Sequence, residues 1–169
     1  MKLLFSHQEI VETSKIMAQK INEQFKGKTP IVVCVLKGSA PFHSELIKHL
    51  DLDITVDYMQ VSSYSGTQST GKITIKKDLD QEIFGKDVII VEDIVDTGLT
   101  LSRLKTELEK RNPVSLTFVS MLDKPSRRKT NFVPDMVGKT IDDLFVIGFG
   151  LDLDEKYRQL KDIYIYDQN

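Results

Sequence analysis

The chain has 169 residues, the length of one domain and enough to bury a core without disulfides or a structural metal. Apolar residues make up 40% and charged residues 28%, a balance that excludes a disordered chain. Lys and Arg total 23 against 25 for Asp and Glu, so the net charge of −2 argues against a nucleic-acid binder that works by bulk charge. The single cysteine, Cys34, excludes an internal disulfide framework and any multi-Cys zinc site. Met1 to Ser6 hold too short an apolar run for a signal peptide, and no stretch reaches the roughly 20 apolar residues of a membrane span. The expectation is a soluble, cytoplasmic, single-domain protein over residues 1–169, with no membrane and no nucleic acid among its partners.

In chain order, Ser6-His7-Gln8-Glu9 reads as a capping box that opens a helix with its apolar stripe at Ile10, Met17, Ala18, Ile21 and Phe25, ending at Gly27. Ile31 to Leu36 is a continuous Val-rich run, the pattern of a strand buried on both faces. Ser39 is placed to cap a second helix, with Pro41 in its first turn, running to about Leu50. Ile54 to Val61 reads as a strand with Ile54, Val56 and Tyr58 on one face. Ser62 to Lys72 is polar except for Tyr64, the composition of a mobile loop. Ile73 to Leu79 fits a hairpin strand. Val88 to Val91 is the strongest strand in the chain, followed by a helix with Leu99, Leu101, Leu104 and Leu108 that ends near Asn112-Pro113. Val114 to Leu122 is another strand, Met136 to Ile141 an edge strand, and Phe145 to Phe149 a last central one. Strands alternating with helices predict an α/β domain built on a mostly parallel sheet flanked by helices.

The chemistry concentrates after Val88-Ile-Ile-Val. A buried strand runs into Glu92-Asp93, then Asp96-Thr97-Gly98-Leu99-Thr100 opens a helix. Ligands of open α/β sheets bind beyond the carboxyl ends of the strands. Backbone N–H groups at a helix N-terminus, a glycine for close approach and two hydroxyls make a phosphate cradle. The spacing is not that of a Walker A loop, and there is no Gly-x-Gly-x-x-Gly. Two carboxylates beside the cradle suit ribose hydroxyls or a Mg²⁺ that bridges them to phosphates. On these residues alone a second reading stays open, in which Asp96 only caps the helix and Glu92-Asp93 are a solvated strand end.

Glu92-Asp93-Ile94-Val95-Asp96-Thr97-Gly98-Leu99-Thr100 resembles the phosphoribosyl-pyrophosphate (PRPP) segment of the type I phosphoribosyltransferases. Leu36-Lys37-Gly38-Ser39, Ser62-Ser63-Tyr64, Asp123-Lys124-Pro125 and Phe145 to Asp152 leading to Glu155-Lys156-Tyr157-Arg158 follow in fitting order. Together they resemble the bacterial hypoxanthine phosphoribosyltransferases over about Leu3 to Ile163. That resemblance implies the type I fold with a small hood subdomain from the N-terminal residues and roughly 123–169. It implies transfer of the phosphoribosyl group from PRPP to N9 of a 6-oxopurine, hypoxanthine or guanine, with release of pyrophosphate, Mg²⁺ as cofactor and a homodimer or homotetramer.

The resemblance also implies roles. Asp96, Thr97, Gly98, Leu99 and Thr100 take the 5′-phosphate, and Asp96 also serves as the acid or base near the purine N7. Glu92 and Asp93 take the ribose hydroxyls, directly or through the metal, for which Asp152 is a further ligand beside the purine and pyrophosphate. Leu36, Lys37 and Gly38, with a Leu–Lys peptide that is often cis in the family, and Arg158 take pyrophosphate. Lys124 donates to the purine O6, which suits a 6-oxo and mismatches a 6-amino group. Phe145 stacks on the base, Val146 reads its edge through the backbone, and Ser63 and Tyr64 belong to a flexible loop over the site. Leu153 and Lys161 stand where relatives often carry Tyr and Pro. His7, His43 and His49 show no metal spacing, and Arg127-Arg128-Lys129 reads as a solvated basic turn. The rivals are a sister enzyme for another base such as xanthine, a regulator that senses PRPP without catalysis, and a generic nucleotide binder.

Overall fold

The computed structural model describes residues 1–63 and 72–167. The elements run β1 (Lys2–Phe5), α1 (His7–Gln24), β2 (Ile31–Leu36), α2 (Ala40–Ile47), β3 (Thr55–Ser63), β4 (Ile73–Lys77), β5 (Asp87–Val95), α3 (Leu99–Glu109), β6 (Ser115–Asp123), β7 (Met136–Thr140), β8 (Val146–Ile147) and β9 (Ile163–Ile165), with a single 3-10 turn at Pro125–Arg127. A six-stranded sheet has the order β4-β3-β2-β5-β6-β7. Its five neighbours from β3 to β7 are parallel, and β4 closes the edge antiparallel to β3.

The two central strands are buried on both faces, which is why they read as unbroken apolar runs. Ile89 and Val91 of β5 pack with Val32, Ile10, Ile21 and Phe42 under α1 and α2. Val88 and Ile90 pack on the opposite face with Val33, Met59, Leu104 and Leu108 under α3. Each such aliphatic side chain gains roughly 1.5–3 kcal/mol from burial. Helix α1 starts at the expected capping box, with both reciprocal Ser6–Glu9 bonds formed.

A second sheet, β1-β9-β8, is three-stranded and antiparallel and joins the two ends of the chain. Its Ile163 and Val146 belong to the same apolar cluster as the α1 face, and the Asp162 carboxylate accepts the His7 N–H at 2.6 Å. The hood therefore sits directly on the first turn of α1.

Several expectations are corrected. Ser39 occupies the residue before α2 but makes no side-chain cap, and the helix stops at Ile47. The buried face of β3 is the opposite one. Tyr58 is exposed, while Asp57 and Met59 are buried, because the Asp57 carboxylate accepts the N–H groups of Tyr58, Asp80 and Gln81. The Phe145–Phe149 run is not a central strand. Only Val146–Ile147 is extended, and it lies in the small sheet. Residues 136–140, which fall within the expected hood segment, instead join the main sheet as β7. Among the described residues no helix is long and apolar enough to cross a membrane.

Candidate functional site

Strand β5 runs on through Glu92 and Asp93 to Val95, so the two carboxylates lie within the strand rather than beyond its end. Glu92 is buried, and Asp93 is partly open to a cleft of about 330 Å³ at the carboxyl edge of the sheet. Val35 and Leu36 of β2, Gly38 of the turn after it, Glu92 to Leu101 save Leu99, Val61, Asp152 and Arg158 line this cleft. Burial, with the Asp93 carboxylate beside it, holds the Glu92 carboxyl well above the usual glutamate range. Burial likewise raises Asp93, against the Ile94 N–H that its Oδ1 accepts at 2.7 Å. Neither carboxylate has a lysine or arginine partner within ion-pair distance among the described residues.

The turn after β5 places Gly98 at φ +78° as the residue before α3, with no side-chain cap. A Cβ there would meet Thr130 Oγ1 at 2.8 Å and Arg128 Cδ at 2.9 Å, so both the conformation and the space call for glycine. Asp96 does not cap the helix, which removes the reading in which capping is its whole role. The first N–H groups of a helix lack intrahelical partners. Leu99 N–H reaches Thr97 Oγ1 at 3.3 Å, and those of Thr97, Gly98, Thr100 and Leu101 are committed to no other described group. The arrangement offers a set of backbone donors and the Thr100 side chain to an anion.

Opposite this turn, Leu36–Lys37 is a cis peptide. Gly38 packs against Asp93 so closely that a Cβ would run into its Oδ2. Lys37 Nζ reaches Glu155 at 2.9 Å, and Arg158 reaches Glu155 at 3.1 Å, Asp152 at 3.3 Å and the Gly150 carbonyl at 2.6 Å. Lys37 and Arg158 lower the Glu155 carboxyl. Arg158 Nε is buried with no acceptor. Arg158 is thus held at the cleft in a turn. Asp152 Oδ2 accepts the Glu155 N–H at 2.9 Å.

The remaining expected residues lie beside the cleft rather than in its lining. Lys124 is buried, its N–H bonded to the Val95 carbonyl, and its ammonium has no hydrogen bond or ion pair with a described residue. Phe145 is 45% exposed with Tyr166 packed edge-on at 6.1 Å, so it is a supported aromatic face rather than a core residue. Val146 is buried in β8. Ser63 is exposed at the end of β3, while Tyr64 and the rest of the expected loop to residue 71 lie outside the described residues. His43 is buried against the Val32 carbonyl, and burial lowers its pKa; His49 pairs with Glu45, away from the cleft. The Cys34 thiol, pushed up to about 12 by burial, is no nucleophile.

The basic cluster after Lys124, to which the sequence assigns no role, also belongs here. Arg127 and Lys129 are exposed, as the sequence suggests, but with the partly buried Arg128 they also bracket Asp96–Thr97. Arg127 Nε donates to Asp96 Oδ1 at 3.1 Å, Arg128 donates to the Asp96 carbonyl at 2.7 Å, and the Lys129 N–H donates to the Thr97 carbonyl at 2.8 Å. Arg128 also pairs with the buried Asp123. The signal was present in the basic run three residues after Lys124, but its partner lies some thirty positions earlier.

A divalent cation finds donors of the right kind. Glu92, Asp93 and Asp152 offer hard oxygen ligands on one cleft, although among the described residues no three His, Cys, Asp or Glu side chains converge into a ready-made cage. That donor set fits Mg²⁺, which keeps several waters and is held by one or two carboxylates together with substrate phosphates.

The sequence model of the phosphoribosyl transferase domain family matches residues 2–155. A hypoxanthine-guanine phosphoribosyltransferase of Streptococcus thermophilus is 46% identical over 160 residues, 94% of this chain and 89% of that protein. A hypoxanthine phosphoribosyltransferase structure from Staphylococcus aureus superimposes with a TM-score of 0.95 at 43% identity, covering 99% of this chain and 91% of that one. A hypoxanthine-guanine phosphoribosyltransferase structure from Bacillus anthracis gives 0.95 at 42% identity, covering 99% of both chains. With the β5–turn–α3 cradle, the cis Leu36–Lys37 corner and the hood in place, the chain belongs to the phosphoribosyltransferase family.

Proposed function

We propose that the chain transfers the phosphoribosyl group of PRPP to N9 of hypoxanthine or guanine, yielding the nucleoside 5′-monophosphate and pyrophosphate in purine salvage. The observation that carries this reading is one cleft holding acceptor carboxyls without a basic partner, Glu92 and Asp93, uncommitted amides at Thr97, Gly98, Thr100 and Leu101, and Arg158 with a buried donor lacking an acceptor among the described residues. A ribose carrying phosphates at both ends matches that alternation of acceptors and donors.

The residues then divide the tasks. The Asp96–Thr100 turn grips the 5′-phosphate, and Glu92 and Asp93 hold the ribose hydroxyls. Arg158, Lys37 and the backbone at Gly38 take the leaving pyrophosphate, for which Lys37 and Arg158 exchange Glu155. Phe145 covers the purine face and Lys124, buried and unpaired, donates to O6. Asp96 manages the proton at N7, a role worth roughly 10²–10⁴-fold when the group is positioned. Mg²⁺, bound by Glu92, Asp93 or Asp152 with the substrate, supplies charge neutralisation for the departing pyrophosphate. Family resemblance supports a homodimer or homotetramer acting in the cytoplasm, and sedimentation reads the assembly.

The test is a base panel. Purified protein with PRPP and Mg²⁺ receives hypoxanthine, guanine, xanthine or adenine, with nucleotide formation followed by ultraviolet absorbance and a chelator control. Metal-dependent turnover of hypoxanthine or guanine with adenine inert supports the reading. Preferred turnover of xanthine moves it to a sister enzyme, and PRPP binding without turnover of any base moves it to a sensor.

A further inference from the structure

The side chain that meets the Asp96 carboxylate is Arg127. Its Nε donates to Asp96 Oδ1 at 3.1 Å, and its Nη1 lies 3.6 Å from Asp143 Oδ2 on the far side. Asp96 Oδ2 accepts no hydrogen bond from a described residue. The backbone beneath is tied on both flanks. The Lys124 N–H bonds to the Val95 carbonyl, Arg128 to the Asp96 carbonyl, and the Lys129 N–H to the Thr97 carbonyl. The main chain at Arg127 is therefore held beside that of Asp96.

Two general facts give this contact a purpose. The terminal torsion of an aspartate is broad and roughly two-fold, so an unanchored carboxylate presents either oxygen over a wide arc. Exposed ion pairs contribute little to stability, and both partners here are exposed, at 46% and 44% of their side-chain surface. The pair is ill suited to hold the fold together and well suited to stop one torsion.

We infer that Arg127 is a positioning residue for Asp96: anchored by Asp143, it holds Oδ1 and leaves Oδ2 as the oxygen offered to the purine. The inference rests on the proposed transferase reading with Asp96 as the proton-handling group. It assigns work to a residue that contacts neither PRPP nor base in that scheme.

The experiment measures the single-turnover rate of nucleotide formation, the KM for PRPP and the melting temperature of the full chain with Mg²⁺ present. Wild type, Arg127→Ala, Arg127→Lys, Asp143→Asn, Asp96→Asn and the double variant of Arg127→Ala with Asp96→Asn are compared. Arg127→Ala is expected to lower the single-turnover rate about tenfold, since loss of alignment at a reacting group is felt in the chemical step. The KM for PRPP should change less than about twofold and the melting temperature hardly at all. Arg127→Lys should recover part of the rate, and Asp143→Asn should show a smaller loss of the same sign. In the Asp96→Asn background the further loss on removing Arg127 should vanish, because no carboxylate remains to be aimed. An unchanged or faster rate in Arg127→Ala overturns the inference, as does a loss that persists undiminished in the Asp96→Asn background. Asp96→Asn at full rate overturns it together with the assignment of Asp96. An inactive wild type instead removes the transferase reading itself.

Discussion

Replacing Arg128 by Met should cost the fold far more than replacing its neighbour. The Arg128–Asp123 pair is largely buried, with side chains 14% and 10% exposed, and the same guanidinium donates to the Asp96 carbonyl. Removing one partner of a buried pair costs about 3–5 kcal/mol, because the other charge is left without compensation. Residual solvent access places this pair near the lower end. The lost charged hydrogen bond to Asp96 is worth about 1.5–3 kcal/mol in isolation and overlaps with that figure. The expected loss is about 3 kcal/mol, and in a chain of this size each kcal/mol moves the midpoint roughly 2–4 °C, so the melting temperature should fall by about 6–12 °C. Arg128→Lys should recover little, since one ammonium does not reproduce a planar fork that spans two acceptors. Thermal and urea melts of Arg128→Met, Asp123→Asn and the double variant check the reasoning, with the double expected to lose about 2 kcal/mol less than the sum of the singles. A midpoint within about 2 °C of wild type, or additive losses, would refute it.

The two glycines of the corner where β2 meets the hood should fail in different ways. In Gly38→Ala the Cβ strikes the end of the Asp93 side chain, so stability should fall by about 1 kcal/mol or less while the KM for PRPP rises; a normal KM means Asp93 is not needed where it stands. Gly150→Ala puts a Cβ against the Gly38 carbonyl at φ +96°, and should destabilise by roughly 2–5 kcal/mol in a denaturant melt, a figure refuted by a near-native midpoint. In metal-free protein the folded Glu92 keeps its proton at pH values where the unfolded chain, near about 4.3, has lost it. Stability from this group thus grows as pH falls through the raised folded value and is complete below about 4.3. Melting curves in chelator should show the difference between wild type and Glu92→Gln shrinking toward low pH, and parallel curves would contradict the sign. Lys124→Ala should lower kcat/KM for hypoxanthine roughly 10–100-fold through loss of one charged hydrogen bond. A change confined to the KM for PRPP would place Lys124 elsewhere.

The parts of the fold that local sequence specifies were the legible ones. Strand β2 matches its apolar run residue for residue, and the Ser6–Glu9 box starts α1 where it stands. The β5–turn–α3 passage was readable as a cradle because strand, glycine and hydroxyls are contiguous. What was missed depends on partners distant in sequence. β1 and β9 are short, carry no period of their own and exist because they pair with each other. The face of β3 turned over because a carboxylate, Asp57, finds three backbone donors inside, which no hydropathy pattern records. The apolar Phe145–Phe149 stretch reads as a central strand because Gly148, which turns the chain at φ +94° against the Asp162 carbonyl, looks like a small core residue. Arg128 reads as solvated in the sequence because the Asp96 carbonyl and Asp123 that take it up meet it only when the fold lays residues 124–129 against 95–97.

The pairing of Lys2 with Ile165 also sets the order in which the protein can become complete. The strands from β2 to β6 find neighbours among segments already synthesised or soon to follow, whereas the first strand waits for nearly the last. Closing so long a loop is entropically late. A nascent chain can therefore build the cradle around Glu92–Thr100 while the wall behind Phe145, which includes Tyr166, is still missing. On the proposed roles, the side of the site that would grip phosphate is thus assembled from local neighbours, and the side that would cover the base only by the pairing of the most distant strands.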